Sequence, residues 1–149
     1  LELSGGDPTV GAGVNYLCPY AWCHGFKGVL LGILGDIEEG RRLIARCREL
    51  AREQSDLEML GFSHLYDAYL AYFAGEADAG GAHARRELEI SERIGDPFSR
   101  SYALLLLGVG EQMAGRYREA IAGSAGRLPG RSAASETTAG VYSESRATC

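Results

Sequence analysis

The residues best suited to chemistry sit near the start of the chain. Cys18, Cys23 and His24 form a Cys-x4-Cys-His cluster, and thiolates beside an imidazole are zinc ligands. A structural zinc site closes with four ligands, usually as two pairs. Here the second pair is missing and Pro19-Tyr20-Ala21-Trp22 fill the gap, so these cysteines read as small buried hydrophobes. His24 and His64 stand forty residues apart, a spacing better explained by equivalent helix positions than by a catalytic pair. Ser, Asp and His are too sparse for a nucleophilic triad. Glu38-Glu39 and Arg85-Arg86-Glu87 read as solvated helix faces rather than paired acid and base. Gly28, Gly32 and Gly35 lack the strand-to-helix context and the Lys-Ser/Thr of a phosphate loop. No catalytic, metal or cofactor-binding residue is assigned, and no cofactor is expected.

The aromatic residues are the other chemically distinctive group. Phe62, Tyr66, Tyr69 and Phe73 fall at i, i+4, i+7 and i+11, one stripe of a helix, with Tyr72 beside it. Such a stripe is core between stacked repeats, or a partner-facing groove that uses tyrosine hydroxyls. The groove reading gathers Trp22, His64, Tyr66, Tyr69 and Tyr72.

The elements that position these residues repeat. Gly35-Asp36-Ile37-Glu38-Glu39-Gly40, Gly75-Glu76-Ala77-Asp78-Ala79-Gly80 and Gly115-Arg116-Tyr117-Arg118-Glu119-Ala120 recur every forty residues. Trp22, Phe62 and Tyr102 share one phase, as do Leu50 with Ile90, Arg46 with Arg86, and Asp56 with Asp96. Small residues precede each turn at Gly28, Ala68 and Gly108 and follow it at Gly40, Gly80 and Ala120. Two helices that cross closely need a small side chain on each at the contact, so these six are expected to pack the repeat. Each unit then reads as an apolar helix, a glycine turn and an amphipathic helix, with Ile37, Leu43 or Ile44, Cys47, Leu50 and Ala51 marking the inner face of the second helix. Gly95-Asp96-Pro97 closes one helix and starts the next, with Asp96 as N-cap.

The fold class expected is all-α: antiparallel helix hairpins stacked as a short right-handed solenoid of about 40 residues per repeat. The units span 16–56, 57–96 and a truncated 97–122. A turn-rich lead-in loop covers 1–15, and 123–149, poor in large apolar residues, reads as a disordered tail. Because the third amphipathic helix begins well and then dissolves into Gly123-Ser124-Ala125-Gly126, a frameshift or unnatural gene end is suspected.

Composition narrows the function. The 149 residues carry a net charge of −5 with basic residues dispersed beside glutamates, which disfavours nucleic acid. The longest apolar run, Gly28–Gly35, is far short of the ~20 residues that span a bilayer. The chain opens Leu1-Glu2-Leu3, without a start residue or signal peptide, and reads as a piece of something larger. Four cysteines without a pairing pattern suit a reduced, cytoplasmic protein.

The small residue followed by Gly-x-x-x-Glu-Ala after the turn, fullest in Gly115–Ala120, resembles the tetratricopeptide repeat over residues 16–122. The units here run forty residues instead of about thirty-four, with Gly at 40 and 80 where Ala is usual. Asp7–Gly13, Cys18–Trp22, Ala82–Arg86 with Leu88–Ile90, and Arg93–Arg100 further resemble the C-terminal repeat region of bacterial signalling proteins that join a nucleotide cyclase to an AAA-type ATPase. That resemblance implies a non-catalytic module for protein–protein interaction or regulatory scaffolding, whose partner is a protein or a neighbouring domain of the parent chain. The alternative is an effector-sensing domain that regulates an attached catalytic or DNA-binding part. The truncated third unit is expected to leave Leu104–Leu107 partly uncovered and to promote self-association.

Overall fold

The computed structural model describes residues 2–7, 9–11 and 18–125. Among the described residues a single 3-10 turn at Glu2–Ser4 precedes six helices: α1 (Pro19–Ile33), α2 (Ile37–Glu53), α3 (Leu57–Phe73), α4 (Ala77–Ile94), α5 (Pro97–Met113) and α6 (Tyr117–Ala125). No strand occurs among the described residues. The links between helices are two or three residues long, short enough to force the chain back on itself into hairpins.

The reversals share one backbone device. Asp36, Asp56, Glu76, Asp96 and Arg116 each donate an N–H to the carbonyl five residues back, on Leu31, Ala51, Ala71, Ser91 and Glu111, at 2.8–3.0 Å. Just before each donor stands a left-handed residue: Gly35, Ser55, Gly75, Gly95 or Gly115. These are Schellman closures, in which the left-handed residue lets the backbone satisfy its own terminal carbonyls. They recur every twenty residues, so the forty-residue period is two helices, each ended the same way. Next comes the start signal. Asp36, Asp56 and Asp96 accept from backbone N–H groups of the first turn that follows, and Pro19 and Pro97 open α1 and α5. Asp56 ties two helices at once: Oδ1 accepts from Met59 N–H at 2.8 Å and Oδ2 from Cys18 N–H at 3.2 Å.

Ser55 is the exception among the five closures, a residue with a Cβ at φ 55°. The left-handed conformation costs an L-residue about 1–2 kcal/mol. Ser55→Gly is therefore expected to stabilise the domain by up to about 1 kcal/mol once the entropy of glycine is deducted, read as a shift in urea midpoint. An unchanged or lower midpoint would show that Ser55 is not strained.

Odd-numbered helices form one layer, α1 against α3 and α3 against α5, while α2 and α4 do not meet. Ile44, Leu50, Met59, Leu70 and Leu106 are the largest apolar side chains fully buried between the layers. The first hairpin closes on glycine: a Cβ on Gly28 would lie 2.8 Å from Gly40 O, and one on Gly40 would lie 2.7 Å from Gly28 O. In the second hairpin Ala68 is buried and Gly80 makes room for the ring of Tyr72. In the third, Gly108 and Ala120 line a cleft of ≈ 410 Å³ with Arg85, Leu88, Glu111 and Glu119.

The third unit is longer than the sequence boundary suggested, since α6 continues through Ala125 and packs on α5. The rest of the expected tail, 126–149, lies outside the described residues, as do 1, 8 and 12–15 of the lead-in loop and 16–17 of the first unit. Of the leucine run 104–107, Leu106 is 2% exposed and Leu105 58%, so α6 and the core leave chiefly Leu105 uncovered. No described helix is long and apolar enough to cross a membrane.

Candidate functional site

Two features stand apart from the repeat's own packing. One is apolar and faces outward. Tyr66, Leu70 and Phe73 of α3 fit against the glycine-lined side of α1: Tyr66 lies where a Cβ on Gly25 would sit, and Leu70 and Phe73 lie 3.2 and 3.6 Å from the Cβ position of Gly32. Their equivalents on α1, forty residues earlier, are Phe26, Leu30 and Ile33, each about half exposed. Tyr66 and Leu70 are buried by that seating while Phe73 stays about half exposed, so the contrast with α1 is sharpest at Phe26 and Leu30. At the far end of the layer Leu105 is exposed where its equivalent Leu65 is 3% exposed, and Tyr102 where Phe62 is buried.

The groove residues proposed from sequence divide between surface and core. Trp22 is exposed, its ring tilted against that of Phe26 at 6.1 Å between ring centres. Tyr69 is partly buried and leans on Phe73. Tyr66 and Tyr72 are buried, and the Tyr72 hydroxyl donates to Leu106 O at 2.6 Å. A buried hydroxyl already spent on a backbone carbonyl is not offered to a partner. Trp22, Phe26, Leu30, Ile33 and Phe73 are thus exposed on α1 and α3, with Tyr69 partly buried, and Phe26, Leu30 and Ile33 were not singled out from sequence. Their exposure follows from having no neighbour among the described residues, which periodicity along the chain does not encode.

The second feature is polar and lies where α2, α3 and α4 meet. Arg48 of α2 donates from Nε to Ser63 Oγ at 3.2 Å and pairs through Nη2 with Asp67 Oδ2. Asp67 lies 3.6 Å from His83 Nδ1, and His83 Nδ1 lies 3.3 Å from His64 Nδ1. All three of His64, Asp67 and His83 are partly buried, and their ligand atoms lie within 4.8 Å of one another. Burial, with the positive charge of Arg48 next, pushes His64 down to about 4, and the same two causes lower His83, so both rings are neutral at neutral pH. The structure places His64, assigned to the groove from sequence, beside His83 and Asp67. Asp67, His83 and Arg48 were not singled out from sequence.

The remaining reactive groups are quiet. Cys18 and Cys47 are buried cysteines and Cys23 is an exposed one. Burial pushes Cys47 up to about 12, a thiol with no nucleophilic character near neutrality. Cys149 lies outside the described residues. Glu87 corrects the sequence reading. Placed there on a solvated face, it is 1% exposed, lying against Gly61 without a hydrogen-bond partner for either oxygen. Burial above all, and then Asp96, push it up to about 8. Ser99 is near enough to oppose this slightly, yet no hydrogen bond of ordinary geometry joins the two. Compared with protein-family models, with curated proteins and with solved structures, the chain matches none.

Proposed function

We propose that this chain is a docking module, non-catalytic by itself, that serves protein–protein interaction or regulatory scaffolding within a larger bacterial signalling protein of the nucleotide-cyclase and ATPase kind. In this reading the hairpins stack as a right-handed solenoid of tetratricopeptide type, for which the forty-residue period is the support. One observation carries the docking role. Phe26, Leu30 and Ile33 are exposed on α1 in the register that Tyr66, Leu70 and Phe73 use to seat α3 on α1. A face of that register fits a further helical unit whose surface carries small residues, whether from the parent protein or from another copy. The effector-sensing alternative would use the ≈ 410 Å³ cleft between α4, α5 and α6, where Arg85, Glu111 and Glu119 accompany leucines; exposed apolar residues at both ends of the layer favour docking.

Self-association gives the test. The chain is expected to associate as its concentration rises into the tens of micromolar, measured by sedimentation. Phe26→Lys combined with Leu30→Glu should leave it monomeric at unchanged helix content, because both side chains are already half in water. A wild-type chain that stays monomeric, or association that survives the double substitution, would count against this face as the docking surface.

A further inference from the structure

We propose that His64, Asp67 and His83 form a binding site for one divalent transition-metal ion, zinc by the type of its ligands. His64 and Asp67 lie three residues apart on α3 and share one face of that helix, and His83 reaches them from α4. Zinc bound by imidazole nitrogen and carboxylate oxygen sits about 2.0–2.1 Å from each donor, so the donors of a tetrahedral site stand roughly 3.3–3.4 Å from one another. The two distances along the cluster, 3.3 Å between the histidine Nδ1 atoms and 3.6 Å from His83 Nδ1 to Asp67 Oδ2, have that spacing. Partial burial leaves a side from which water could supply the fourth ligand, and two histidines with one carboxylate suit zinc or cobalt rather than calcium or magnesium.

Repeat packing does not require this arrangement. At the equivalent places of the first hairpin stand His24, Lys27 and Leu43, and in the third Leu104 and Leu107 replace His64 and Asp67. Leu88 occupies the place of Arg48 one repeat on. The array therefore builds the same helix contact with leucines, and only the middle hairpin brings two imidazoles and a carboxylate together. Arg48 is the competing cation, held on Asp67 Oδ2. Its second anchor on Ser63 fixes the guanidinium. The oxygen it holds is also the one 3.6 Å from His83 Nδ1, so an ion bound there requires the Asp67 carboxylate to turn, placing one oxygen on the metal and the other on Arg48. In bound sites such outer partners orient the ligand and tune affinity by about 10–100-fold.

The experiment uses the full chain freed of any affinity tag. Zinc is titrated by calorimetry, and cobalt is followed by visible absorption, which reports a four-coordinate site by its intensity. One ion per chain is expected, with a cobalt spectrum of the tetrahedral type. His83→Ala and Asp67→Asn should each weaken binding by at least about tenfold, as loss of a direct ligand must exceed the smaller effects of outer partners. His24→Ala and Cys23→Ser should leave it unchanged. Absence of saturable binding would overturn the proposal, as would binding that persists in the His64→Ala/His83→Ala double variant or disappears in Cys23→Ser. Circular dichroism monitors folding, and if a histidine variant loses helix, Asp67→Asn, which keeps the shape of the side chain, decides.

Discussion

Glu87→Gln is expected to leave stability little changed near pH 5 and to raise it by on the order of 3–4 kcal/mol by about pH 8. The cause is a carboxyl group 1% exposed with neither oxygen hydrogen-bonded. In the unfolded chain it ionises near the ordinary 4.5, and in the fold at about 8. Between those values the native state keeps a proton that the unfolded state has released. Stability from this group is thus complete below 4.5, falls as pH rises across the window, and levels off above about 8. Glutamine carries no charge at any of these pH values and removes that slope. Glu58, pushed up to about 7 by burial, with Asp96 and Asp56 adding to it, slopes the same way. It is only partly buried, so its share is smaller through solvent screening, and the variant should retain a residual decline. Urea unfolding at several pH values measures the difference, and parallel curves for wild type and variant would show that Glu87 ionises as freely in the fold as in the unfolded chain.

Gly28→Val should cost about 3 kcal/mol, at the upper end of what overpacking a well-filled core usually costs. A Cβ there would meet Gly40 O at 2.8 Å and Ile44 Cγ1 at 2.8 Å, and the first of these is backbone that cannot turn aside. Any methyl group on Gly28 must push α1 and α2 apart, and the α3 contacts of Leu70 and Tyr66 follow them. Gly81→Ala is the control of opposite sign. The nearest atoms to its Cβ are the guanidinium nitrogens of Arg85, at 3.7 Å and beyond, so the helix-forming advantage of alanine, up to about 1 kcal/mol, should appear as stabilisation. Equal effects of the two substitutions on the thermal midpoint would mean that helix propensity, and not the crossing, governs Gly28.

Much of the fold was legible because its signals are local. Asp56 and Asp96 share a phase and both cap helices, Pro97 opens one, and the glycine turns close them, since caps and left-handed residues act on backbone groups a few positions away. The twenty-residue spacing of the closures was hidden because Ser55 fills one of the five left-handed places. Glu87 was legible in principle. Cys47 had been set on the inner face, and Glu87 stands forty residues after it, but residue type outweighed phase and drew the glutamate to the surface. Tyr72 was harder. Its burial depends on Gly80 and Gly110, which lack side chains where its ring and hydroxyl lie, and nothing near Tyr72 in the chain states that they face it.

By itself, then, the sequence determined that this chain is a run of helix hairpins, where the glycine turns stop helices, and that Gly28 and Gly40 mark a close crossing, because these depend on hydrogen bonds and small residues at fixed short spacing. Only the tertiary structure decided which aromatic rings are core, that Phe26, Leu30 and Ile33 are left facing solvent, and that Arg48, His64, Asp67 and His83 converge from three helices. Those outcomes are set by which side chains meet across helices, and a periodic pattern along one chain gives the face of a helix but not the neighbour that covers it.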